Sequence, residues 1–248
     1  MRYNSIDKKY DTFILNIKEH FNNSKNIILF KQRNIVKIVE YNSVKYVVKS
    51  FKVPHILNRV VYNYFRASKA KRSYSNSLEL EKLQINVPKP IAYIEFPSKF
   101  LFEKSYFISE FFDYDFEIRA IFNDEDFEDR ETILKEFVKF SYSLHNKGVY
   151  HIDYSPGNVL IKRVDGEYIF YIIDVNRMNF INFDDAMRFK NLSRFSTSNS
   201  DLEFIAKEYA SLHKIEEKVA IDTLYKYHNE HQKYLENKKR VKALRGKK

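Results

Sequence analysis

The 248-residue chain contains no cysteine and no tryptophan, and only four glycines and five prolines. Without thiols there is no disulfide framework, no thiolate zinc site and no cysteine nucleophile. So little glycine and proline excludes collagen-like and low-complexity architectures. No apolar run approaches the about 20 residues that span a bilayer; the longest, Tyr168-Ile169-Phe170-Tyr171-Ile172-Ile173, is strand-sized. The opening MRYNSIDKKY is polar and lacks the apolar core of a signal peptide. What is present argues against disorder: 44% of residues are hydrophobic and 17% aromatic, enough to bury a sizeable core in a chain of this length. These features predict a protein that is soluble or at most sits on a membrane surface.

Acidic residues are also missing where basic ones collect. From Tyr41 to Leu78 the chain has Lys45, Lys49, Lys52, Arg59, Arg66, Lys69, Lys71 and Arg72, and no acid. From His231 to Lys248 it carries a net +7, although the whole chain is only +10. The remainder is therefore acidic, with many of its carboxylates between Glu110 and Glu131. Two basic stretches on an acidic body point to an anionic partner: lipid headgroups, nucleic acid or a phosphorylated ligand. A solvated helix face and a frayed tail would read the same way. No groove-reading motif accompanies the charge, so nucleic acid is not expected.

Periodicity divides the chain in two. Residues 5–22 have helical spacing, and Ile27–Phe30, Ile35–Glu40 and Val44–Phe51 read as strands, the last two joined by a turn at Tyr41-Asn42-Ser43. A basic amphipathic helix is predicted over 55–67 and another over 69–84, stopped by Val87-Pro88-Lys89-Pro90. Strands follow at Ile91–Phe96 and Tyr106–Phe111. From Asp126 the spacing turns helical, with Ile133, Phe137, Phe140, Ser141 and Leu144 on one face, and helices close the chain from about 201 to 237. Strands dominate the first 110 residues and helices the rest, which predicts an α+β, two-lobed layout rather than alternating βαβ units. The expected division is 1–108, 109–237 and a basic tail 238–248.

The most informative stretch is His151-Ile152-Asp153-Tyr154-Ser155-Pro156-Gly157-Asn158, followed by VLIKRVDGEYIFYIID and Val175-Asn176-Arg177. Asp165-Gly166 between two apolar runs is a strong hairpin signal, because both turn positions need positive φ. Folding there sets Asn158 opposite Ile173, next to Asp174, and leaves Asp153 in the loop just before. One amide oxygen and one carboxylate suit Mg²⁺, a hard cation that retains waters or substrate phosphates. A second carboxylate can accept or orient the proton of a hydroxyl nucleophile. Turn chemistry explains one such Asp or Asn but not three around one hairpin.

HIDYSPGN resembles the H-R-D-x-x-x-x-N catalytic loop of eukaryotic-like protein kinases, and IIDVN stands where they have D-F-G. Tyr46-Val47-Val48-Lys49 resembles their V-A-I-K strand, and Ser109-Glu110-Phe111-Phe112 lies where their hinge binds adenine. Within that superfamily the chain is most similar to the bacterial lipopolysaccharide kinases, which phosphorylate Kdo or heptose of the lipid A inner core. The likeness lies in the HxDxSPGN loop, the Asp174-to-Arg177 spacing, the segment FKVPHILNRVVYNYFRASKAKRSY and the VPKPIAYIE that follows. The short length and the lack of an A-P-E segment also fit a sugar kinase better than a protein kinase.

The resemblance implies a protein-kinase-like fold. A small antiparallel-sheet N-lobe would carry one or two helices, and a larger C-lobe would be mainly helical. It implies ATP and Mg²⁺ as cofactors, with Lys49 on the phosphates, Asn158 and Asp174 on the metal, Glu110 and Phe112 at the adenine, and Asp153 activating the acceptor. His151 would scaffold the loop, and Tyr154 would be a platform for the sugar. Arg177 would pair with a phosphate or acceptor carboxylate, or form a structural salt bridge. The implied partner is an anionic glycolipid, lipid A–Kdo, with residues 55–72 against the membrane. The implied location is cytoplasmic or peripheral on the inner face of the cytoplasmic membrane. A soluble alcohol or protein serine as acceptor, or a pseudokinase, remain alternatives. Three departures stand out. No glycine precedes Gly148, so no Gly-rich loop exists; Asn176 replaces the glycine after the metal-binding Asp; and the carboxylate for Lys49 is assigned to Glu79, though the family pattern places it nearer Ser75.

Overall fold

The computed structural model describes residues 1–31, 34–51, 67–97, 102–195 and 197–245. The basic helix expected over 55–67 lies outside these except for its last residue. The chain forms two compact units: Met1–Asp113 with Tyr171–Arg177, and Tyr114–Phe170 with Met178–Lys248.

The first unit is built on a six-stranded antiparallel sheet. Its strands are β1 (Arg2–Ser5), β2 (Ile27–Lys31), β3 (Asn34–Tyr41), β4 (Val44–Phe51), β5 (Pro90–Pro97) and β6 (Phe102–Glu110), in the order β1-β5-β6-β4-β3-β2. Its helices, among the described residues, are a 3₁₀ turn (Lys8–Tyr10), α1 (Asp11–Leu15), α2 (Ile17–Asn22) and α3 (Lys69–Lys82). The β3–β4 hairpin closes through Asn42 and Ser43, at φ of 49° and 62°, with Tyr41 paired to Val44. Two left-handed residues give a turn whose twist matches that of the strands. Alternation then sorts the side chains. Tyr46, Val48, Ile94, Tyr106 and Ile108 are buried in one cluster with Phe13, Ile14, Ile17 and Phe21 of α1 and α2. The cross-strand row Lys49–Phe107–Tyr93 takes the opposite face. There Tyr74 of α3 packs on Tyr93, ring centroids 5.4 Å apart. α3 starts where the Ser68 hydroxyl accepts the Lys71 N–H at 3.0 Å, satisfying one donor that the helix leaves unpaired.

β1 was not legible: Arg2-Tyr3-Asn4-Ser5 has no apolar alternation. It becomes a strand only by pairing with β5 at the sheet edge, where Arg2, Tyr3 and Asn4 stay exposed.

The second unit contains β7 (Phe116–Glu117), α4 (Ile118–Asn123), α5 (Arg130–Asn146), β8 (Val149–His151), β9 (Val159–Val164), β10 (Glu167–Ile172) and β11 (Met178–Phe180). It ends in α6 (Asp185–Leu192), α7 (Asn199–His213) and α8 (Glu217–Arg245). Its small sheets have the orders β10-β9-β7 and β11-β8. β10 runs two residues past Phe170 into the segment that belongs to the first unit. Ile133, Phe137, Ser141 and Leu144 of α5 are buried, as their spacing predicts. Phe137 sits among Phe122, Tyr154, Phe170 and Phe195, with centroids 4.8–6.4 Å away. α8 continues through Arg245, so residues 238–245 extend a helix rather than fray as a tail. Lysine and arginine are good helix formers and are favoured near a helix C-terminus. Among the described residues no helix is long and apolar enough to cross a membrane.

Two buried polar groups make this unit sensitive to substitution and to pH. Asp201 on α7, its side chain 3% exposed, pairs with Arg130 at the start of α5 and accepts from Thr197 at 2.5 Å. Arg130→Ala strands that carboxylate and should lower stability by about 3–5 kcal/mol in urea unfolding. Burial also holds His145 neutral and pulls its pKa from 6.5 to about 3. The unfolded imidazole takes up a proton near pH 6.5 and the folded one only near pH 3, so the folded state loses stability as pH falls between these values. The loss should approach about 1.4 kcal/mol per pH unit, and His145→Phe should remove that part of the slope between pH 7 and pH 5.

Candidate active site

Lys49 projects from β4 on the face that α3 covers. Its Nζ lies 2.5 Å from Asp174 Oδ1, with side-chain exposures of 16% and 34%. This joins residues 125 apart in sequence. Asp174 holds a left-handed backbone, φ 56°, which non-glycine residues adopt at a cost. Its surroundings keep it there. Asn176 Nδ2 donates to the same Oδ1 at 2.6 Å, Asn76 Nδ2 from α3 donates to the Val175 carbonyl at 2.7 Å, and the Ile172 N–H donates to the Asn86 carbonyl at 3.0 Å. Val175 and Asn176 are buried.

The second unit carries the loop between β8 and β9. β8 pairs with β11, His151 opposite Met178. His151 is wholly buried, and its Nδ1 accepts the Asp153 N–H at 3.0 Å. Asn158 Nδ2 donates to the Asp153 carbonyl at 2.9 Å. Both polar groups of the Asp153 backbone are thus held, which fixes where its carboxylate starts. With Nδ2 engaged, the oxygen of the Asn158 amide is its acceptor end. Pro156 begins the short 3₁₀ turn Pro156–Asn158, where its missing N–H costs nothing. A Cβ at Gly157 would sit 2.0 Å from Arg119 Nη2, so a larger residue there would displace the end of that half-exposed side chain. Beyond β9 the turn residues Asp165 and Gly166 have φ of 51° and 87°, the two positive values read from the sequence.

Lys49 and Asp174 therefore meet in the first unit, and Asp153, Asn158 and His151 are interlocked in the second. His151 Nδ1 is engaged by the Asp153 N–H. Glu79 requires correction. It pairs with Lys82 one turn along α3 at 3.0 Å, and the acid on Lys49 is Asp174. Tyr154 also requires correction, because it is wholly buried, bonded to Ser141 at 2.8 Å and packed edge-on to Phe195. A ring enclosed in this way is core and presents no face to a sugar. At the end of β6, Glu110 is half exposed and 3.4 Å from Lys89; its N–H donates to the Lys89 carbonyl and that of Phe111 to the Lys45 carbonyl. The Phe112 ring stacks on Tyr171 at 3.8 Å. Arg177 is exposed.

Sequence reasoning missed Asn76 and gave Asn176 no task. Asn176 was visible as the replacement of a glycine, whereas nothing local marks Asn76, whose partner lies 99 residues away. Among the described residues no three His, Asp or Glu side chains cluster to hold a metal alone. Asp174 in the first unit offers a carboxylate and Asn158 in the second an amide oxygen, each a donor of the kind that Mg²⁺ takes, an ion that completes its shell with water and substrate phosphates.

The lysine strand, braced aspartate and Asp153–Asn158 loop sit on a kinase-like fold. The structure of WaaP in complex with acyl carrier protein matches with a TM-score of 0.65, covering 94% of this chain and 99% of that one at 13% identity. The microcompartment-associated aminopropanol kinase matches at 0.50, covering 88% and 86% at 10% identity. At these identities the likeness is one of fold. The profile of the lipopolysaccharide kinase (Kdo/WaaP) family matches residues 22–215, and the chain belongs to that family. It is accordingly a phosphotransferase acting on hydroxyl groups. No curated protein matches its sequence.

Asn176→Ala removes a buried donor from a charged acceptor and should cost about 1.5–3 kcal/mol, read as a lower urea midpoint.

Proposed function

We propose that the chain transfers the γ-phosphate of ATP to a sugar hydroxyl of the lipopolysaccharide inner core, on Kdo or heptose. The observation that carries the reading is Lys49 held at 2.5 Å from an Asp174 that two asparagine side chains brace, in a chain of this family. Phosphoryl transfer demands positioning and charge neutralisation more than covalent chemistry. Lys49 pairs with the α and β phosphates. Asp174 and Asn158 supply the oxygens for Mg²⁺, which neutralises phosphate charge when bound. Asp153 accepts the proton of the attacking hydroxyl. Glu110 and Phe112 border the adenine, and Arg177 receives an acceptor carboxylate or phosphate. The eight basic residues from Tyr41 to Leu78, with no acid among them, support an anionic lipid-borne acceptor. Each basic residue near an anionic surface contributes about 1 kcal/mol. The protein then works in the cytoplasm or on the inner face of the cytoplasmic membrane.

The test incubates the full chain with Mg²⁺, γ-labelled ATP and deep-rough lipid A–Kdo. Label should enter the lipid fraction, and Asp153→Ala should reduce its rate by about 10²–10⁴-fold. ATP binding without lipid labelling would move the acceptor to a soluble alcohol or protein serine, or identify a pseudokinase. Absence of ATP binding would end the ATP reading.

A further inference from the structure

Arg188, Tyr209, His145 and Asn191 form a hydrogen-bond chain in the second unit that ends on the carbonyl of His151, two residues before Asp153. Arg188 Nη1 lies 3.1 Å from the Tyr209 hydroxyl, which lies 2.8 Å from His145 Nδ1. His145 Nε2 is 3.3 Å from Asn191 Oδ1, and Asn191 Nδ2 is 2.8 Å from the His151 carbonyl. Tyr209, His145, Asn191 and His151 are each no more than 1% exposed.

The chain has only one consistent direction. A guanidinium can only donate, so the Tyr209 oxygen accepts from Arg188 and its single proton goes to His145 Nδ1. Burial supports both states: it raises the Tyr209 pKa to about 12, keeping the phenol protonated, and lowers that of His145 to about 3, keeping the ring neutral. A neutral ring that accepts at Nδ1 carries its proton on Nε2, and donates it to Asn191 Oδ1. The Asn191 amide is then fixed with its NH₂ toward His151, whose own Nδ1 receives the Asp153 N–H. A reversed amide would set two acceptors against each other at the His151 carbonyl and two donors at His145 Nε2. In a buried site each mismatch is costly.

We propose that Asn191 is a positioning residue of the catalytic loop, its amide oriented by the Arg188–Tyr209–His145 chain so that it holds the His151 carbonyl and thereby sets Asp153. The kinetic part rests on Asp153 accepting the acceptor's proton. The structural part does not, and the experiment reads the two separately.

In the 248-residue chain, long-range ¹H–¹⁵N NMR should find His145 and His151 both protonated at Nε2 and bare at Nδ1 near pH 7. In Asn191→Leu the Asp153 amide should lose at least tenfold of its hydrogen-exchange protection, while amides in the first-unit sheet keep theirs. With γ-labelled ATP and deep-rough lipid A–Kdo, Asn191→Leu should lower kcat at least tenfold and leave KM for ATP within twofold. His145→Phe preserves a ring in the same core, and should lower kcat by a few fold with KM for ATP unchanged; it decides the matter if Asn191→Leu does not fold. An Nδ1–H tautomer at His145 overturns the proposal. So does unchanged Asp153 protection in Asn191→Leu, or a parallel change in kcat and KM. If no protein transfers phosphate, the catalytic reading fails, and the tautomers and Asp153 protection still decide what Asn191 holds.

Discussion

The first unit depends on one charge pair. Lys49 lies on a face of β4 that α3 covers, so its ammonium loses much of its water, and a cation there needs an anion. The anion, Asp174, comes from a seven-residue segment, Tyr171–Arg177, that interrupts the second unit in sequence and belongs to the first. That segment has almost no regular structure to hold it: beyond the end of β10 it runs without helix or strand. What it has are directed polar contacts: Asn176 Nδ2 donates to Asp174, Asn76 Nδ2 to the Val175 carbonyl, and the Ile172 N–H to the Asn86 carbonyl. Amide side chains suit this task because one group can donate without adding charge beside a carboxylate.

Much of this was legible in the sequence where the signal was local. The Asp165-Gly166 turn, the Asn42-Ser43 turn, the alternating strand of Lys49 and the helical face of α5 each follow from neighbours in the chain. The failures share a cause. Glu79 was assigned to Lys49 by residue type and spacing, but a glutamate on an exposed helix face finds the lysine three residues on more cheaply than a distant partner. Tyr154 was assigned to the sugar as the aromatic next to Asp153, whereas its burial is decided by Phe137, Ser141 and Phe195, which only the fold brings together. β1 has no pattern of its own and exists because β5 leaves an edge to pair with.

The scarcity of glycine leaves a consistent trace. Among the described residues of the first unit the left-handed positions are taken by Asn42, Ser43, Gln84 and Asp174. Asparagine and aspartate tolerate that region better than most side chains. A non-glycine residue there costs conformational energy in the folded chain but gives up less freedom on folding. At Asp174 no glycine would serve, because the position that needs the unusual backbone also needs the carboxylate.

The discontinuity of the first unit sets an order of events during synthesis. A ribosome delivers the six strands and α3 well before it delivers Asp174, and domains generally fold as their residues emerge. A nascent chain that has reached Asp113 holds the whole sheet with Lys49 still lacking its anion. The sheet matures only after most of the second unit's strands and α5 have been made. The kinase fold therefore cannot be assembled from two separately completed halves, and its first-translated unit is among the last to be finished.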